Sequence, residues 1–238
     1  MIKSLAIVNG IIQDSEIDGV PIKIAIVQPK GLPNVRTLIK MKEVIGITNH
    51  NTANTAPTAG SEAHARYLQG LENADKEYKS VHFFVDADCI IQCVPIDEFC
   101  YHAGDGNGDG NRKTISVEIC ENRNYEKAEL NAQKLNAALL LTYPNLKVFK
   151  HQDWSGKFCP RKILARPNGW NDFTAGIHRM VTETQRKNDL SVDISEAPTN
   201  MPSAWAKEAV DWAIKHNISD GSNLKRYCTR EQVLVIGY

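Results

Sequence analysis

An imidazole and a thiol eight residues apart, in His151-Gln-Asp-Trp-Ser-Gly-Lys-Phe-Cys159-Pro160, constrain this chain more than any other stretch. The Ser155-Gly156 turn between them lets both side chains reach one point, and nitrogen with sulfur suits a borderline-soft divalent ion such as zinc. A zinc site that keeps one coordination position open for water uses three protein ligands, so a third must come from a distant element. His50 is the best placed, at the end of the apolar run Val44-Ile-Gly-Ile-Thr48 and inside Asn49-His-Asn-Thr-Ala-Asn54. Taken singly, a His beside a strand is commonly a satisfied polar residue and a Cys a small core residue. The combination points to a metal, and any fold of this chain must then carry residue 50 to residues 151–159.

Five motifs stand in one order along the chain: Asn49-His-Asn-Thr-Ala-Asn54, Ala63-His-Ala-Arg-Tyr-Leu68, Tyr101-His-Ala-Gly-Asp-Gly106, Ile115-Ser-Val-Glu-Ile-Cys-Glu-Asn122 and residues 151–160. Together they resemble the zinc N-acetylmuramoyl-L-alanine amidases of the amidase-2 family, relatives of the peptidoglycan-recognition proteins, and among them the phage endolysins. The resemblance implies an α/β fold, a mixed central β-sheet flanked by helices, with Zn2+ held by His50, His151 and Cys159 at the floor of a cleft. It implies bacterial peptidoglycan as substrate and hydrolysis of the amide between N-acetylmuramic acid and the L-alanine of the stem peptide. Two rivals differ in class: a module that binds peptidoglycan without cutting it, and a zinc endopeptidase acting within the stem peptide. Non-catalytic relatives of this fold lack the Cys ligand, and Cys159 is present here.

Amide hydrolysis requires activated water, a polarised carbonyl and a protonated leaving nitrogen. Glu118 lies on the polar face of a strand whose other face is Ile115, Val117 and Ile119, and is the candidate general base and acid. In one branch of the resembling family a Tyr before the strand His-Phe pair takes part in catalysis; that position is Val81 here, which shifts the role to Glu118. Lys157, two residues before Cys159, is the candidate donor to the developing oxyanion. His102, Asn51 and His82 are the candidate substrate contacts, and His64 is a packing or hydrogen-bonding residue.

The remaining features set the frame. With 28 basic and 28 acidic residues in 238, the net charge is zero and nothing favours nucleic acid as a partner. Six cysteines without paired spacing argue against a disulfide framework. The run Leu5-Ala-Ile-Val8 is too short for a signal peptide or a membrane span, so the expected location is the host cytoplasm until lysis, then the cell wall. Asp105-x-Asn107-x-Asp109-Gly110 imitates a calcium loop, but Ser116 stands at the twelfth position.

Strands are expected at 23–27, 44–48, 80–94 (two), 114–120 and 145–150, and helices at 61–71, 121–143 and 173–184. The apolar runs at 5–8 and 22–27 read as one hairpin. Residues 1–184 form the expected catalytic domain, 185–202 a polar linker, and 203–238 a small all-α module. In that module Ser203-Ala-Trp-Ala-Lys-Glu-Ala-Val-Asp-Trp-Ala-Ile-Lys-His216, Ile218-Ser-Asp-Gly221 and Cys228-Thr-Arg-Glu-Gln232 resemble one S-layer-homology motif. A secondary cell-wall polymer is the partner this implies.

Overall fold

Two dipeptides with left-handed backbone shape the N-terminal edge. Asn9-Gly10 (φ 51° and 75°) and Asp18-Gly19 (φ 47° and 77°) each form a two-residue turn matched to the twist of antiparallel strands. The expected single hairpin is therefore two: β1 (Ile7–Val8) pairs with β2 (Ile11–Ile12), and β3 (Glu16–Ile17) with β4 (Val20–Ile24).

The computed structural model describes residues 2–29, 35–71, 78–195 and 207–216. Further strands are β5 (Gly46–Asn51), β6 (Phe83–Val85), β7 (Ile90–Gln92), β8 (Thr114–Ile119) and β9 (Lys147–Lys150). Among the described residues the main sheet has the order β3-β4-β7-β6-β8-β5-β9. Pairs β3/β4 and β6/β7 are antiparallel; β4/β7, β6/β8, β8/β5 and β5/β9 are parallel. The fold is thus a mixed central sheet flanked by helices, with the short α2 (Asp109–Lys113) leading directly into β8.

Alternation along β8 sends Ile115, Val117 and Ile119 to one face, where they are fully buried with Ile47 and Phe83. That face is covered by α3 (Tyr125–Thr142), through Leu135 and Leu139, and by Phe173 and Ile177 of α6 (Gly169–Ser195). The opposite face packs Phe84, Ile91, Cys93 and Cys120 against Ala65, Leu68 and Leu71 of α1 (Ser61–Leu71). The buried stripe of α1 is Ala65, Leu68 and Leu71, and Tyr67 is 51% exposed. Asp86 ties the start of α1 to the β6–β7 turn, its Oδ2 accepting from Ser61 N (2.8 Å) and Ser61 Oγ (2.7 Å).

Two helices differ in extent from expectation. α3 begins four residues late because Asn124 caps it, its Oδ1 accepting from Lys127 N at 3.1 Å. α6 runs to Ser195, through the first part of the expected linker. Gln185-Arg-Lys-Asn-Asp-Leu190 is polar but holds neither Gly nor Pro, and the next Pro is Pro198. Polarity alone does not stop a helix.

The chain divides into two compact units, Met1–Thr184 and Gln185–Tyr238. In the second, α7 (Lys207–Lys215) falls within the expected all-α module of residues 203–238. The stretches 218–221 and 228–232 of the wall-binding motif lie outside the described residues. Among the described residues no helix is long and apolar enough to cross a membrane.

Candidate active site

Three neighbouring parallel strands, β8, β5 and β9, end on the same edge of the sheet, which is where open α/β sheets place their ligands. His50 and Glu118 are register partners near the ends of β5 and β8. Partners on adjacent strands project to the same face, so these two side chains stand side by side. His151 follows β9 directly, its N–H donating to Asn49 O at 3.3 Å.

Cys159 is returned to His151 by a closed loop. α4 (Gln152–Ser155) ends at Gly156, whose left-handed φ of 73° reverses the chain. Gln152 N donates to Cys159 O at 3.0 Å, sealing the loop. Beyond it, in α5 (Arg161–Leu164), Lys162 N donates to Asn51 Oδ1 at 2.8 Å, and Arg161 pairs with both carboxylate oxygens of the buried Glu121 just past β8. The last two contacts anchor the segment just after Cys159 to the ends of the strands that carry His50 and Glu118.

One ligand atom from each of His50, His151 and Cys159 lies within 4.8 Å of the others, and all three residues are buried. His50 Nδ1 is 2.9 Å from His151 Nδ1 and 4.0 Å from Cys159 Sγ, and Asn51 N–H points at that sulfur at 3.4 Å. The outer nitrogen of His50 is engaged elsewhere, Nε2 lying 3.0 Å from His102 Nδ1. Two imidazole nitrogens this close need a proton or a cation between them. Two nitrogens and a sulfur form a donor set that fits zinc.

The electrostatics agree. Burial, with the neighbouring histidines and Lys157, holds His50 well below the usual imidazole range, and burial with Lys157 lowers His151. Both rings are therefore neutral, the ligating form. Burial and Glu118 raise the Cys159 thiol to about 11, so a metal binding here displaces a proton from sulfur. Burial raises Glu118 to about 7, against the opposing pull of Lys157 and Lys79. Glu118 Oε2 is buried without a hydrogen-bond partner. An unpaired carboxylate beside a candidate metal position is suited to accept a proton.

His50, His151, Cys159, Glu118 and Lys157 are thus brought together, all but His50 directly lining a cleft of about 750 Å³. The expected substrate contacts fare differently. His82 requires correction, being fully buried away from the cleft: its Nδ1 accepts from Ser116 N (2.9 Å) and its Nε2 faces Glu98 O (2.8 Å). Both sheet faces are covered at that point, so alternation could not assign it to the cleft. Asn51 lines the cleft, but its amide is engaged with Lys162 N, Tyr125 Oη (3.1 Å) and Ile119 O. His102 also lines the cleft, yet its ring nitrogens face His50 and Thr114.

Sequence reasoning misses the far wall, formed by Tyr67, Tyr78, Lys79 and Tyr101 with His64 stacked on Phe84 at 5.2 Å. It also misses Thr48, whose hydroxyl meets Thr114 and Trp154 below the site. Thr48 lies two residues before His50 on the same strand, so period-two reasoning places both on one face.

A family profile described as N-acetylmuramoyl-L-alanine amidase matches residues 40–162. The chain is 48% identical over 136 residues to the N-acetylmuramoyl-L-alanine amidase CwlH of Bacillus subtilis (strain 168), covering 55% of this chain and 52% of that one. It is 48% identical over 136 residues to XlyA of the same organism, covering 55% and 43%. The chain therefore spans about half the length of these curated relatives or less. Among solved structures, the catalytic domain of XlyA superposes with a TM-score of 0.58 at 45% identity, over 66% of this chain and 99% of that one. The PlyG catalytic domain superposes with a TM-score of 0.59 at 33% identity, over 68% and 96%.

Proposed function

Since this chain belongs to the N-acetylmuramoyl-L-alanine amidase family, we propose that it is a peptidoglycan hydrolase acting on the amide between N-acetylmuramic acid and the L-alanine of the stem peptide. The reading includes a zinc ion held by His50, His151 and Cys159. The observation that carries it is the convergence of those two nitrogens and one sulfur within 4.8 Å on a cleft, beside Glu118, whose Oε2 is buried without a hydrogen-bond partner. Zinc at these donors would supply Lewis acidity to a water and to the scissile carbonyl. Glu118 takes the proton of the attacking water and delivers it to the leaving nitrogen. Lys157, exposed on the rim, donates a hydrogen bond to the carbonyl oxygen as negative charge develops there. Residues 203–238 are included as a wall-binding motif, on their sequence pattern and on α7, where Trp212 is 57% exposed.

Mass spectrometry of products from purified peptidoglycan tests this, with zinc-loaded and chelated protein side by side. The expected result is stem peptides with free N-terminal L-alanine and intact lactyl groups on the glycan, abolished by chelation and restored by zinc. Glu118→Gln should retain zinc and lose about 10²- to 10⁴-fold in turnover. A different new N-terminus would make the enzyme an endopeptidase, and binding without any new amine would make it a recognition module.

A further inference from the structure

A line of hydrogen bonds runs beneath the candidate metal position, and its chemistry admits one direction. Trp154 Nε1 donates to Thr48 Oγ1 at 2.9 Å, Thr48 Oγ1 lies 2.8 Å from Thr114 Oγ1, and Thr114 Oγ1 lies 2.6 Å from Gly110 O. An indole N–H only donates and a carbonyl only accepts. The Thr114 hydroxyl hydrogen therefore points at Gly110 O, and the Thr48 hydroxyl hydrogen points at Thr114. His102 Nε2, 3.5 Å from Thr114 Oγ1, finds an acceptor there, because the Thr114 hydrogen is committed to Gly110 O, and so carries its ring hydrogen. Neutral His102 is left with a bare Nδ1, 3.0 Å from His50 Nε2. That contact makes His50 the donor, and its own Nδ1 is left bare, facing His151 and Cys159.

We propose that His102 is a positioning residue for the metal centre: by accepting the Nε2 hydrogen of His50, it holds that ring in the tautomer and orientation that present Nδ1 to the metal. This rests on the zinc reading above. Without such an acceptor, His50 would bury an unsatisfied N–H or turn its hydrogen onto the ligating nitrogen. The T-shaped packing of the two rings, 5.1 Å between centroids and 87° between planes, suits an in-plane hydrogen bond from the one to the other. The Tyr101-His-Ala-Gly motif is thereby explained by support of the metal site.

The test measures zinc affinity of the full-length chain by competition with a chromogenic chelator, with the visible spectrum of the cobalt-substituted protein as a second readout. His102→Phe keeps an aromatic ring and removes the acceptor; it should bind zinc about 10- to 100-fold more weakly and alter the cobalt spectrum. His102→Asn, whose amide oxygen can occupy the position of Nδ1, should stay close to wild type in both. Equal affinity in the Phe variant, or an equal loss in both variants, would overturn the proposal. Long-range nitrogen–proton NMR of the zinc-loaded wild type decides the matter without any substitution: His102 should be protonated at Nε2 alone, and protonation at Nδ1 would refute the relay. A wild-type chain that binds no zinc would instead remove the zinc reading on which it stands.

Discussion

At the scale of single residues, Glu118 carries opposed demands of stability and chemistry. Burial raises its carboxyl from 4.5 to about 7. A group raised on folding contributes stability below its unfolded value and loses it as pH rises through the folded one, so ionised Glu118 weakens the metal-free protein above about pH 7. Glu118→Gln removes the charge and keeps the shape. In the presence of chelator it should be more stable than wild type by about 1–3 kcal/mol at pH 8, seen as a melting temperature several degrees higher, and no more stable at pH 4. Equal melting temperatures at pH 8 would mean that the carboxylate is solvated. Activity has the opposite sign. As the proposed base, Glu118 must be ionised, so kcat/KM should rise with pH along an acid limb at or below about 7, since a divalent cation bound beside it would lower the carboxylate. Glu118 is legible in the sequence because a strand alternates, and its polar face is short. The place of His82 is not, because alternation names a face and says nothing of what covers it.

At the scale of elements, β5 is held between two polar attachments that face opposite ways. On the site face, Thr48 joins the hydrogen-bond line below His50. On the other face, Asn49 and Asn136 of α3 exchange amide hydrogen bonds of 3.0 and 2.9 Å, fully buried. Asn136→Leu leaves the Asn49 amide buried without its partner and should destabilise the chain by about 1–3 kcal/mol, measurable by urea unfolding. An unchanged midpoint would mean that water replaces the lost amide. The central strands and the two helices α1 and α3 are legible from period-two and period-3.6 patterns. Pairing across the sequence is not. Nothing local to Tyr101-His-Ala-Gly reveals that His102 meets His50, since that contact is created by the parallel register of β5 against β8. The extent of α6 escapes for a different reason: a polar composition resembles a linker, whereas helices end at caps and breakers.

At the scale of the whole molecule, the site is made within the first compact unit. β8, β5 and β9 deliver Glu118, His50 and His151 to one sheet edge, and the loop after α4 adds Cys159, all before Thr184. The XlyA catalytic domain matches over 99% of its own length, which supports the view that such a unit stands alone. Where to cut follows from α6. Ending at residue 184 would sever the helix at Thr184, whose Oγ1 donates to Ile2 O at 3.2 Å, and would place orphan carbonyls beside the N-terminal segment. A fragment of residues 1–195 keeps the helix intact. It should fold cooperatively, bind zinc as tightly as the full chain and release L-alanine-terminated peptides from soluble muropeptides at an unchanged rate. It should also sediment less with purified cell walls, because the wall-binding motif proposed for residues 203–238 is gone. Loss of zinc binding in the fragment would show that the second unit helps build the site. Equal sedimentation would assign wall affinity to the cleft alone, leaving α7 and its exposed Trp212 to another role.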